Sequence, residues 1–488
     1  MISKSKKGNI KKNFIYNSVY QLFVILIPVI TTPYLSRVLG PDNIGSYSYA
    51  YSIASYFVMF AMMGLNNYGN RTIAIVRDNK EKLAQTFWSI YFMQLFFAIL
   101  SIVCYVFFAF VFSPHIFTWL MMPYVLSSLL DINWFFFGIE KFKITATRST
   151  LIKLISTILI FVLVKQKSDV YLYCLIFTSG ILVNQVLMWP FVKRYVSFKK
   201  ISFENIRVHI KPNIILFVPV IAVSLYKIMD KIMLGSLSDV NQVGYYANAE
   251  TIINVPMALI NSLGVVMLPR MSNINSKGDK KLAQYYISTS IIFAMMLSTS
   301  MCFGIMGVAD VFVPIFYGRG FEECIQLFYI LMPSCLFIAF ANVIRTQYLI
   351  PNKEDKIYIT SVFLGAIVNI IFNILLIPIF KATGAAIGTF FAEAMVCIYQ
   401  TIRVRRRIPV SQYLNNVMPL IISGIIMLTV VCKINLKSVF ITLVVRVIAG
   451  AWVYLLVTII ELRLIKNKKA YEYYRPFVEL ICKIIRHE

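Results

Sequence analysis

A chain of 488 residues that is 59% hydrophobic and only 14% charged, with a mean hydropathy of +0.75, excludes a soluble enzyme of this size. The composition predicts an all-α polytopic membrane protein. A net charge of +26 would ordinarily suggest nucleic acid as a partner, but the cations lie between apolar runs and sort by connection, which excludes that reading.

Apolar runs of about 17 to 28 residues predict about 14 transmembrane helices, starting near residues 14, 44, 84, 116, 146, 170, 212, 244, 284, 322, 357, 383, 413 and 438. Five lysines, Lys4, Lys6, Lys7, Lys11 and Lys12, precede the first. Together with the even connections and the tail from Arg463 they place 35 of the 47 Lys and Arg on one side, while the odd connections hold seven. The positive-inside rule therefore predicts that both termini are cytoplasmic. The apolar run continuing to Leu35 is too long for a cleaved signal peptide and predicts an uncleaved first helix.

The first helix carries Pro28 and Pro33 and ends in LSRVLGPDNIG, where Gly40-Pro41-Asp42 reads as a tight turn. In the second helix Ser48, Ser52 and Ser55 share a face, suited to close helix approach or to lining a path. Pro123, Pro219, Pro256, Pro333 and Pro378 interrupt other spans, as in membrane proteins that line a path or move. The basic connection Lys193 to Lys211, with Phe198, Phe203 and Ile206 among its charges, predicts a segment on the inner leaflet and a hinge between halves.

Offsetting the sequence by 199 residues places Leu35, Gly45, Tyr47, Ala50, Ile53 and Arg71 on identical residues at 234, 244, 246, 249, 252 and 270. Loop parity is preserved under this shift, which predicts two parallel, pseudo-symmetric six-helix lobes followed by two further helices. The expected division is 1–195 for the N-terminal lobe, 196–211 for the linker, 212–407 for the C-terminal lobe, 408–462 for helices 13 and 14, and 463–488 for an amphipathic cytoplasmic tail.

Within the apolar stretch Leu216 to Asn261, Lys227, Asp230 and Lys231 are spaced for one side of a helix. Glu250, Asn254 and Asn261 likewise return to one face. A charge at mid-bilayer costs roughly 2.5 to 3.5 kcal/mol on insertion scales, so such residues face a partner, the protein interior or water. The pattern predicts a hydrated cavity with a cationic wall; for Lys231 the competing reading is snorkelling to the interface. Glu393, midway along helix 12, has no route to either interface. Asn369 and Asn373 suit helix glue or lining, Arg345 suits snorkelling to anionic lipid, and Arg446 has no evident partner in the sequence.

Eight scattered Cys, without a CxxC pair, read as small buried hydrophobes, and three separated His offer neither a metal site nor a catalytic dyad, so no metal or cofactor is expected. There is no GxxxxGK[ST] run, which excludes direct use of ATP. Gly318-Arg319-Gly320 is a loop turn. Short odd connections leave no room for the large outer loop of a lipid-linked sugar polymerase, so a transporter is expected rather than an enzyme.

The runs NSVYQLFVILIPVITTPYLSRVLGPDNIG, DINWFFFGIEKFK, DKIMLGSLSDVNQVGYYANAE, QYLIPNKEDK and GAAIGTFFAE, in this order, resemble the Wzx-type polysaccharide repeat-unit flippases, which serve O-antigen or capsule synthesis. These belong to the exporter superfamily that also holds multidrug extruders and lipid II flippases. The resemblance implies two six-helix lobes plus two C-terminal helices in a bacterial cytoplasmic membrane, with a cavity opening alternately to each side. It implies undecaprenyl-diphosphate-linked oligosaccharide as the cargo, with membrane lipid and the polysaccharide polymerase as partners. The cationic and acidic cluster that related lipid II flippases carry in helix 1 is replaced here by Thr31 and Thr32, leaving the helix 7 cluster as the candidate. Lys227 and Lys231 are then expected to attract the diphosphate, with Asp230 orienting them. Asn254, Asn261, Tyr47 and Tyr51 would bond sugar hydroxyls, and Glu250 or Glu393 would take a coupling ion. A cation-coupled drug extruder and a non-transporting scaffold of the synthesis complex remain alternatives.

Overall fold

The computed structural model describes residues 4–464. Among these, 11 helices are long and apolar enough to cross a membrane. Helix α1 (Lys4–Met62) contains two of the expected spans, separated at Gly40, whose φ of 78° and ψ of 172° interrupt the helix. Glycine tolerates that conformation, and Pro41 restarts the helix with its fixed φ and missing N–H where no intrahelical bond is needed. Helix α2 (Leu65–Val76) follows Gly64, whose φ is 79°, and α3 (Lys80–Val111) is capped by Asn79, which accepts from Glu81 N and Lys82 N.

The fourth span is short and divided into α4 (Ile116–Leu120) and α5 (Met122–Leu130), with α6 (Asn133–Gly138) behind it. Then come α7 (Phe142–Leu163), α8 (Val170–Val186), α9 (Trp189–Val192) and α10 (Phe203–Lys227). After α11 (Met229–Leu237) run the long helices α12 (Val240–Ser276) and α13 (Lys280–Phe316), then α14 (Glu323–Leu331) and α15 (Ser334–Ile344). A π-helical turn, Arg345–Leu349, continues α15. Helix α16 (Asp355–Val404) again joins two spans, broken at Lys381 with φ 50° and ψ −127°. Helices α17 (Val410–Val431) and α18 (Val439–Leu464) complete the described chain. The two breaks and the short fourth span reconcile the 11 long helices with the 14 spans read from the sequence. The expected amphipathic helix in the tail lies outside the described residues.

Chain contacts separate two compact units, Met1–Gly244 and Tyr245–Glu488. Helices α10 and α11, expected in the second lobe, pack in the first unit: the Tyr56 hydroxyl donates to Ser224 O at 3.0 Å, and Tyr68 OH lies 2.6 Å from His209 Nδ1. Gly45 comes so close to the α12 start that a Cβ there would sit 1.7 Å from Val240 O, and one on Gly244 would sit 2.2 Å from Pro41 O. Only glycine permits such contact between backbones.

The first unit's core centres on the DINW run. Trp134, Phe135 and Phe136 are fully buried with Phe87 and Ile90. Gln94 accepts from the Trp134 indole at 2.9 Å while its amide nitrogen donates to Ser128 O at 2.7 Å and Asp131 O at 2.9 Å. The second unit packs α13 against α17 and α18, with Val308, Met427, Val431 and Tyr454 buried together. Exposed Phe96, Val103, Phe107 and Phe110 on α3 form the kind of apolar surface that faces lipid. Cys104 and Cys432 are exposed, whereas Cys174, Cys302, Cys324, Cys335 and Cys397 are buried as the sequence predicts.

Candidate functional site

In the first unit the structure brings Tyr47 and Tyr51 together, as their i, i+4 spacing on α1 requires. Their rings stack at 5.8 Å. Tyr51 stacks on Tyr124 of α5 at 4.9 Å, Tyr47 meets Tyr173 of α8 edge-on at 4.9 Å, and Phe177 stands 5.6 Å from both. The result is an aromatic panel with hydroxyls, able to stack on a sugar face and bond its edge. Sequence reasoning missed Tyr124, Tyr173 and Phe177; the i, i+4 spacing of Tyr173 and Phe177 was the available signal. Ser52 and Ser55 instead donate to Ser48 O and Tyr51 O, four residues back in their own helix, both at 2.7 Å. That favours close packing over lining.

The cationic cluster spans a helix break. Helix α10 ends at Lys227 and α11 begins at Met229, with Ile228 between them at φ −108°. The single continuous helix face expected for Lys227, Asp230 and Lys231 is therefore interrupted, although nothing in the local sequence breaks helices. Lys227 is exposed, Lys231 is half-buried and Asp230 is 1% exposed.

In the second unit, Glu250 is half-buried and Asn254 is exposed on α12. Asn261, exposed further along, accepts from the Asn342 amide at 2.6 Å. Gly264 permits this approach of α12 to α15, since a Cβ there would lie 2.8 Å from Asn342 Oδ1. Glu393 is buried at 8% exposure in the second half of α16, and Thr389, one turn before it, is hydrogen-bonded to Tyr246 at 2.9 Å. Within the π turn, Gln347 is completely buried and neither amide atom has a hydrogen-bond partner among the described residues. Such turns recur at functional sites.

Several polar groups prove to be structural. Asn373 donates to Asn369 at 3.2 Å within the first half of α16, and it packs closely on Gly388 of the second half, where a Cβ would lie 2.4 Å from Asn373 Oδ1. Arg345 stands over the Tyr358 ring at 5.4 Å. Arg446 is 2% exposed and fully engaged: Nε donates to Ile434 O at 2.8 Å, Nη1 to Gly307 O at 3.1 Å and Asp310 at 2.5 Å, and Nη2 to Asn435 at 2.7 Å. A second buried network was not foreseen: Asn133 donates to Asp131 at 2.8 Å and to Gln185 at 3.2 Å, and accepts from Arg148 at 3.2 Å. No group of three or more His, Cys, Asp or Glu able to hold a metal occurs among the described residues.

Long apolar helices, two of them broken at Gly40 and Lys381, define a polytopic membrane protein. The chain belongs to the polysaccharide biosynthesis protein family, whose profile matches residues 10–275. It is 26% identical over 407 residues to a putative O-antigen transporter of Escherichia coli strain K12, covering 82% of this chain and 98% of that one. It is also 26% identical over 235 residues to the probable low-salt glycan biosynthesis flippase Agl15 of Haloferax volcanii, covering 48% of this chain and 49% of that one. Among solved structures it shares the fold of the lipid II flippase MurJ in an inward closed conformation, with a TM-score of 0.74 at 14% identity, covering 93% of this chain and 100% of that one. A multidrug resistance MATE family transporter in an inward-facing conformation aligns with a TM-score of 0.59 at 13% identity, over 81% and 99% of the two chains. The two solved structures share the fold, and the two sequence relatives are named as a putative transporter and a probable flippase rather than as catalysts.

Proposed function

We propose that the protein flips undecaprenyl-diphosphate-linked oligosaccharide repeat units from the cytoplasmic to the outer leaflet of a bacterial cytoplasmic membrane, by alternating access. The observation that carries this reading is the nearly full-length likeness to a putative O-antigen transporter, on a fold shared with a lipid II flippase. A diphosphate bearing hydrated sugars cannot cross about 30 Å of hydrocarbon unaided. A polar cavity can hold it while the isoprenoid tail stays in lipid.

In this reading Lys227 and Lys231 attract the diphosphate, and Asp230 holds their orientation. Asn254 and Asn261 bond sugar hydroxyls, and Tyr47 and Tyr51 present their rings and hydroxyls to the sugars. Glu250 or Glu393 takes the coupling ion. Both termini are cytoplasmic, and the polysaccharide polymerase receives the flipped unit.

The test is reconstitution in liposomes holding a labelled undecaprenyl-diphosphate oligosaccharide, measuring how fast the sugar becomes accessible on the opposite leaflet. Movement slowed by Lys227→Ala with Lys231→Ala, in normally inserted protein, is the expected result. No movement under an imposed proton, sodium or voltage gradient refutes the reading, and ethidium extrusion by the same vesicles would establish a drug exporter instead.

A further inference from the structure

A cavity of about 660 Å³ opens where α12 ends and α13 begins, away from the residues assigned above to cargo. Both helices have 37 residues, so each is about 55 Å long against roughly 30 Å of hydrocarbon. Their joint must therefore stand outside the hydrocarbon, on one side of the bilayer. The connection is the basic one from Arg270 to Lys281, which the cation asymmetry assigns to the cytoplasmic face.

The cavity has two kinds of wall. Ile274 and Leu282 are apolar, while Arg270, Asn273, Lys277 and Tyr286 present cations and hydrogen-bond donors. The Arg270 guanidinium lies 4.1 Å from the centroid of the Tyr286 ring and donates to its hydroxyl. Stacking fixes the fork and leaves its remaining donors for an anion. The lining holds one carboxylate, Asp279, which caps α13 by accepting from Leu282 N at 3.0 Å, against the two cations Arg270 and Lys277. Gly278, at φ 72°, makes the turn directly after Lys277, which lines the same cavity as the stacked pair. Neither Arg270 nor Lys277 forms an ion pair among the described residues.

We propose that this cavity binds the phosphate of a lipid headgroup from the adjacent leaflet, with Arg270 and Lys277 as its cationic ligands. Basic pockets at the cytoplasmic ends of membrane helices are suited to such headgroups. A bilayer phospholipid such as phosphatidylglycerol and a polyprenyl diphosphate both supply the required chemistry. The inference does not depend on the transport reading.

Native mass spectrometry of the full chain released from phosphatidylcholine nanodiscs tests it, with phosphatidylglycerol in one arm and a polyprenyl-diphosphate oligosaccharide in the other. Arg270→Ala with Lys277→Ala is expected to weaken retention about tenfold or more. Tyr286→Leu weakens it by removing the stack, and Tyr286→Phe largely keeps it. Lys433→Ala with Lys437→Ala removes equal charge from another connection and leaves retention unchanged. Loss confined to phosphatidylglycerol identifies a bilayer lipid, and loss confined to the diphosphate identifies waiting cargo. Equal retention by wild type and the Arg270/Lys277 variant in both arms overturns the proposal, as does an equal loss in the Lys433/Lys437 control.

Discussion

Arg446→Met should unlock the α13–α18 contact without touching any residue assigned to cargo. In the native protein the guanidinium reaches four acceptors beyond its own helix: two backbone carbonyls, the Asn435 amide oxygen and the Asp310 carboxylate. Removing one member of a buried charge pair costs about 3 to 5 kcal/mol. Asp310 is 50% exposed against 2% for Arg446, so its carboxylate rehydrates and the pair contributes less than that. Gly307 O and Ile434 O lose a donor at about 1 kcal/mol or more each. The discounted total is about 3 kcal/mol, while Arg446→Lys, which keeps the charge but not the fork, should lose about half as much. Thermal inactivation followed by size-exclusion chromatography in lipid nanodiscs should rank wild type above Arg446→Lys above Arg446→Met. A methionine variant that melts with wild type refutes the structural role. One that melts normally yet fails to move cargo makes Arg446 a transport residue.

Gln347→Leu should raise the melting midpoint, because it replaces a buried amide that has no partner among the described residues, a burden of about 1 to 3 kcal/mol; a lowered midpoint would mean that the amide is bonded in the bilayer. Gly69→Ala should destabilise the first unit, since its Cβ would stand 2.7 Å from the buried Trp134 ring, an overpacking worth about 1 to 3 kcal/mol; unchanged stability would show that the indole can shift. Glu393→Gln should leave folding intact and abolish the dependence of flipping on an ion gradient, measured in the liposome assay; retained gradient dependence would return that role to Glu250.

Most of the architecture was legible because lipid allows only long apolar helices, and cations mark their ends. The break at Gly40-Pro41 was legible from turn chemistry, and that at Lys381 from a cation standing between apolar runs that start near 357 and 383; only its φ of 50° was not, because the residue is neither glycine nor asparagine. The site was legible one helix at a time. Tyr47 and Tyr51 share a helix and were found, but Tyr124 and Tyr173 join them only through folding. Spacing placed Lys227, Asp230 and Lys231 on one side, but periodicity carries no information about a break at Ile228. Arg446 was unexplained for the same reason, since Asp310 lies 136 residues away.

The run DINWFFFG, among the most recognisable in the chain, is folded into its interior. Trp134 is sealed against Gln94 and faced by Gly69, and Asp131 is spent on Asn133. Such a signature reports architecture and is silent about sugars. Cargo-swapping chimeras between relatives should therefore be spliced outside residues 131–138, with the graft made on the aromatic panel and the α12 amides. A graft confined to the signature should yield a folded protein whose cargo preference has not changed.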